Sequence, residues 1–174
     1  FDLNCKVTGD LFVDSHHTIE DTGIVLGQAI AKAVGDKQGI KRFGSFMLPM
    51  DRCLKQYSDD FCFAKQVKVW GSRNVVMLRQ YYHCPKLHFF RGLGEFISVV
   101  STPQVGYFDT QMVKEFFYAV SYSAMMNLHI KQLAGSNDHH IIEAAFKAFA
   151  KALDEATQYD SRLSGQVLST KGSL

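Results

Sequence analysis

One local order occurs twice in this chain, and it restricts the fold more than any other feature: an extended run, a polar turn, a His-His-x-x-Glu sequence and an amphipathic helix. The first copy is Asp14-Ser15-His16-His17-Thr18-Ile19-Glu20-Asp21, the second Asn137-Asp138-His139-His140-Ile141-Ile142-Glu143-Ala144. A repeated strand–motif–helix order predicts two related α/β units rather than one unrelated succession of elements.

In the first copy Phe1, Leu3, Cys5 and Val7 alternate with polar residues, the period of a half-buried strand. Thr8-Gly9-Asp10 is a turn signal, and Leu11-Phe12-Val13 is expected to return as a second strand. The helix after the motif carries Leu26, Ala29, Ile30, Ala33 and Val34 on one face and is expected to stop at Gly35. In the second copy, Val113, Phe116, Phe117, Val120 and Ala124 mark a buried helical face. Leu128-His129-Ile130 alternates as a strand, residues 133–138 form a polar loop, and the helix opened by His139 is expected to bury Ile142, Phe146, Phe149, Leu153 and Ala156.

Between the copies the composition shifts. Residues 52–91 hold eight of the 19 Lys and Arg but two of the 17 acids, three of the four cysteines and Trp70. Val67-Lys68-Val69-Trp70 is strand-like, but no helical face emerges. The expected division is therefore a first α/β half over 1–51, an atypical insertion over 52–90, and a second half over 91–174.

The motifs carry specific chemistry. On a helix, Glu20 lies four residues beyond His16 and three beyond His17, so both histidines neighbour it on one surface. Adjacent histidines diverge by about 100°, which suits two ions, or an ion and a substrate, better than one ion. His139, His140 and Glu143 repeat the arrangement. Imidazole plus carboxylate suits zinc, manganese, iron or nickel, and the lack of cysteine in the motifs argues against a structural zinc site. A single His-His pair is more often surface decoration, but two copies among seven histidines outweigh that. For His83, His88 and His129 a structural role is the better reading. Arg42, Lys147, Ser169 and Lys171 supply donors of the kind a phosphate needs, although each alone is an ordinary surface charge.

Other classes receive little support. A net charge of +2 gives no global case for nucleic acid or an anionic membrane, and no apolar run approaches the roughly 20 residues of a membrane span. No secretory signal is visible, and Cys5, Cys53, Cys62 and Cys84 form no C-x-x-C pair, so free thiols in a reducing compartment are expected. The terminal Leu168–Leu174 run reads as a frayed end.

Together, the two motif segments, Arg42-Phe43-Gly44, Phe146-Lys147-Ala148-Phe149-Ala150 and Ser169-Thr170-Lys171-Gly172 resemble imidazoleglycerol-phosphate dehydratase, with order and spacing agreeing over 1–51 and 91–174. The resemblance implies an α/β (α+β) fold of the ribosomal protein S5 domain 2-like type, a duplicated unit of a four-stranded sheet backed by helices. It implies trimers assembling into 24-mers with active sites between subunits, two Mn2+ per site, and a phosphate substrate dehydrated to imidazole-acetol phosphate in histidine biosynthesis. His16, Glu20 and His139 would ligate one ion, and His17, His140 and Glu143 the other. Arg42, Arg91, Lys147, Ser169 and Lys171 would grip the substrate. A cytoplasmic location follows, or a plastid one in a plant.

The chain also departs from the family pattern. It lacks the N-terminal stretch that supplies a further ligand and a candidate acid–base glutamate. Glu115 stands where a ligating histidine is usual, and a carboxylate serves manganese too. Arg52 replaces an acid. Asp51 to Arg91 is forty residues, far beyond the family's spacing, either as a surface insertion or as sequence from outside the original reading frame. These departures keep a second expectation open: a metal-binding, oligomer-forming relative without catalysis.

Overall fold

The computed structural model describes residues 2–48, 65–70, 92–97, 100–132, 135–163 and 165–166, with backbone only for 65–70 and 92–97. Its elements are α1 (His16–Val34), β1 (Phe43–Leu48), β2 (Lys65–Trp70), β3 (Gly92–Ile97), β4 (Gln104–Val105), β5 (Phe108–Asp109), α2 (Met112–Ser123), β6 (Asn127–Gln132), α3 (Asp138–Thr157) and a 3-10 turn at Ser161–Leu163.

The fold is α+β. Four strands form one sheet in the order β1-β2-β6-β3. The first two junctions are antiparallel, with Phe43 opposite Trp70 and Val67 opposite Ile130; β3 runs parallel to β6. This sheet draws strands from each of the three segments set out above. A short β4–β5 hairpin precedes α2.

Helix α3 lies across β1 and β2, α2 covers β3, and α1 packs on α2. The core is where these layers meet. Leu128 and Ile130 point inward from β6 onto Val113, Phe117 and Val120 of α2 and Ala145, Ala148, Phe149 and Ala152 of α3. Phe117 meets Phe146 at a tilt of 42° and Phe149 edge-on, with ring centroids 4.7 and 5.5 Å apart.

Three expectations need correction. Residues 2–10 form no strand and are largely exposed, and 11–13 form a turn closed by Val13 N–H to the Asp10 carbonyl at 2.8 Å. Alternation alone does not make a strand: its N–H and C=O groups need a ladder partner, and among the described residues this run has none. In α1, which does end at Gly35, the contact face is Gly23, Leu26, Gly27 and Ile30, while Ala29 and Ala33 are exposed. In α3 the buried stripe is mainly alanine: Ala144, Ala145, Ala148, Ala152 and Ala156, with Ile141, Phe149 and Leu153. Phe146, expected in that stripe, sits at its rim and remains 36% exposed.

Small residues win at both seams because the backbones approach closely. A Cβ at Gly27 would stand 2.6 Å from the Val120 carbonyl oxygen and from Ser123 Cβ, and one at Gly23 2.8 Å from Ala119 Cβ. Gly44 of β1 meets the backbone of α3 in the same way, where a Cβ would run into the Ala152 carbonyl.

Candidate metal centre

Both motifs open a helix, as the repeat predicts, and both leave their His and Glu side chains exposed or half-buried. In α1 the His16 Nε2 and Glu20 Oε2 atoms are 3.4 Å apart; in α3 the His139 Nε2 and Glu143 Oε2 atoms are 3.9 Å apart. The adjacent rings splay alike, His16 from His17 by 80° at 6.1 Å and His139 from His140 by 67° at 5.9 Å. Each turn therefore offers one N,O pair on one face and a second imidazole turned away.

The pairs suit an octahedral ion in type and spacing. Donors about 2.1 Å from one ion and at right angles to each other lie about 3 Å apart, a small rotamer change from what is seen. Two donors are too few for a manganese ion, however. Among the described residues no three His, Cys, Asp or Glu side chains converge on one point.

The surroundings of the two motifs differ. In the first, Ser15 makes no side-chain cap bond; Asp14 Oδ1 accepts the His16 N–H at 2.8 Å, and Asp10 Oδ2 approaches His17 Nδ1 to 3.9 Å. In the second, Asn137 Oδ1 accepts the His140 N–H at 3.1 Å, capping the helix. Lys147 Nζ meets Glu143 Oε1 at 2.6 Å. That hydrogen bond, ahead of the charges of Lys147, His139 and His140, holds the Glu143 carboxyl below its usual range. Glu143 thus stays an anion with one oxygen paired and the other turned toward His139.

Glu115 is partly buried near the start of α2. It lies at the same end of the fold as His139, because the first residues of α2 and α3 are fastened to one segment. Thr110 Oγ1 donates to the Thr102 and Pro103 carbonyls at 2.7 and 3.1 Å, and Asp138 binds Ser101 and Thr102. Sequence reasoning passed over Thr110 and Asp138. The available signal was Asn137-Asp138, two cap-type residues in succession where one suffices.

Arg42 lies elsewhere. It is buried, has φ +64°, and its N–H donates to the Ala156 carbonyl at 2.8 Å, near the C-terminus of α3. With Lys37 it lines a cleft among Ile30, Val34 and Met126, and burial pushes its guanidinium below the usual arginine range. Arg91, Ser169 and Lys171 lie outside the described residues, as do Cys53, Cys62, Cys84, His83, His88 and Arg52. His129 is half-buried in β6, and Cys5 is an exposed free thiol.

The family model described as imidazoleglycerol-phosphate dehydratase matches residues 1–153. The chain is 53% identical over 174 residues to the imidazoleglycerol-phosphate dehydratase of Lachnoclostridium phytofermentans, covering 100% of this chain and 74% of that relative. With the Acetivibrio thermocellus protein of the same name identity is 44%, over 100% of this chain and 75% of the relative. Among solved structures, the Staphylococcus aureus dehydratase superposes with a TM-score of 0.67 at 33% identity, covering 89% of this chain and 72% of that one. The Pyrococcus furiosus enzyme gives 0.67 at 30% identity over 96% and 74%.

Proposed function

The chain belongs to the imidazoleglycerol-phosphate dehydratase family, hydro-lyases of histidine biosynthesis, and from that premise we propose that its two His-His-x-x-Glu turns are halves of two-manganese sites completed between copies of the chain. The observation that carries this reading is the matched geometry of the turns: an exposed N,O pair and a divergent imidazole, presented twice.

The need for a second copy is supported by distance. Arg42 is anchored at Ala156 and His139 opens the same helix. At 1.5 Å per residue these points are about 25 Å apart along α3, too far for one small phosphate ester to touch both. Neighbouring copies can bring the imidazole-rich end of one chain to the cationic end of another.

In such a site His16, Glu20 and His139 would hold one ion, and His17, His140 and Glu143 the other, with Glu115 as a further carboxylate; the N,O pair of the first turn would stay on one ion, whereas Glu143 would leave His139 for His140. The ions supply Lewis acidity toward the substrate imidazole. The chain's own residues do the rest. Lys147, Arg42, Arg91, Ser169 and Lys171 bind and orient the phosphate through charge-assisted hydrogen bonds. Lys147, which meets Glu143 Oε1 at 2.6 Å, stands beside the residues that would hold the ions and would present its charge to the phosphate. A carboxylate beside the imidazole carries the proton.

Metal analysis of the purified protein together with a dehydratase assay tests the reading. About two manganese ions per chain with turnover is expected, and His16→Ala and His139→Ala should each lose metal and activity. Metal without turnover would favour a non-catalytic, oligomer-forming relative. A wild-type protein that binds no metal would remove both readings.

A further inference from the structure

The functional atoms of the second motif sit in the first turns of α3, the part of a helix that frays because its leading N–H groups lack intrahelical acceptors. The packing stripe of α3 begins at Ile141 and is densest from Ala144 onward, so packing alone leaves Asp138–His140 weakly determined. A separate device secures them. Asp138 Oδ1 accepts the Ser101 N–H at 3.1 Å; Oδ2 accepts the Thr102 N–H at 2.7 Å, the Thr102 hydroxyl at 2.6 Å and the Ser101 hydroxyl at 3.1 Å. The residue is 7% exposed, as is Thr110, which fastens the same segment to the start of α2.

With four donors on its two oxygens, Asp138 has little capacity left for an ion, despite standing next to His139. Its part is to fix the rotation and pitch of the turn. The first motif has no counterpart: Ser15 occupies the matching position and makes no side-chain bond of this kind.

We propose that Asp138 is a positioning residue for the second metal-binding turn, holding His139, His140 and Glu143 in ligating geometry through its bonds to Ser101 and Thr102. This rests on the reading of the motifs as a metal centre. A carboxylate that sets a ligand's orientation without touching the ion is expected to be worth about 10- to 100-fold in metal affinity or activity.

The experiment compares assembled wild-type protein with Asp138→Asn, Thr102→Val, Thr102→Ser and Ser15→Ala, by manganese titration well below the unfolding temperature and by amide hydrogen exchange of metal-free protein. Asp138→Asn should bind manganese about 10- to 100-fold more weakly, with a matching fall in kcat/KM and faster exchange over 138–146. Thr102→Val should move the same way by less, Thr102→Ser should behave as wild type, and Ser15→Ala should leave both readouts unchanged. If Asp138→Asn lowers only the unfolding temperature, with affinity and exchange over 138–146 as in wild type, the positioning role is overturned. A wild-type protein that binds no manganese overturns the metal-centre reading instead, and the exchange comparison still decides whether Asp138 orders the turn.

Discussion

Gly27→Ala sets two physical effects against each other, and the sign of the result decides between them. In an exposed helix interior this change stabilises by about 0.8–1 kcal/mol, because alanine loses less backbone freedom on folding. At Gly27 the added Cβ would stand 2.6 Å from the Val120 carbonyl oxygen, 2.6 Å from Ser123 Cβ and 3.0 Å from the Ala124 nitrogen. Ordinary contact needs about 3.5 Å, so α1 must retreat from α2 by roughly 0.9 Å. None of the three obstructing atoms can rotate away, two being backbone and the third a Cβ, which places the cost in the upper half of the about 1–3 kcal/mol typical of overpacking. Subtracting the propensity gain leaves a net destabilisation of about 1–2 kcal/mol, or roughly 2–8 °C in Tm for a chain of this length. Urea unfolding measures it, with wild type and variant at the same protein concentration so that mass action from assembly is held equal. Gly23→Ala should act the same way but less, and the double variant should cost less than the sum, since one retreat of α1 relieves both contacts. A Gly27→Ala protein more stable than wild type by about 1 kcal/mol would refute the close-approach argument and leave propensity alone.

Gly44→Ala should be costlier, about 2–3 kcal/mol, because a strand position gains no helix propensity and the Cβ meets the Ala152 carbonyl and, at 2.9 Å, the Ala156 nitrogen; a shift in urea midpoint reports it. Hydrogen bonding led by Thr102 holds the Asp138 carboxyl below its usual range, so its stabilisation is present above the unfolded value near pH 4 and is lost as pH falls through the lower folded value. Urea midpoints between pH 5 and 2.5 should fall more steeply for wild type than for Asp138→Asn, and parallel curves would contradict the assignment. Lys147→Met should change stability by less than about 0.5 kcal/mol, because its pair with Glu143 is exposed. On the proposed reading it should retain manganese, and raise KM for the phosphate substrate at least about tenfold, as read from steady-state kinetics.

What could be read without coordinates follows from how local each signal is. The motif helices, the stop at Gly35, the buried face of α2 and the β6 strand all express a periodicity within a few residues, and the structure has them. The N-terminal alternation is equally regular but depends on a partner strand, which no local pattern can guarantee. On α3 the apolar periodicity marks Phe149, Leu153 and Ala156 correctly but not Phe146 or the other alanines, because Gly44 on β1 lets α3 settle on small residues. Of the site, the identities of the motif residues and their pairing at four-residue spacing were legible. The Asp138–Thr102–Thr110 fastening was not, since it joins positions 36 and 8 residues apart. Nor was the placement of Arg42 at the far end of α3.

That placement has a consequence for how the protein fails as well as how it works. On the proposed reading, the end of a chain that binds metal and the end that carries Arg42 serve different sites. A copy damaged at Arg42 spoils a neighbour's chemistry while its own imidazoles go on serving intact partners. Inheritance of a defect in mixed assemblies would then follow which copies touch rather than the count of damaged chains, and two differently damaged chains could restore between them sites that neither forms alone.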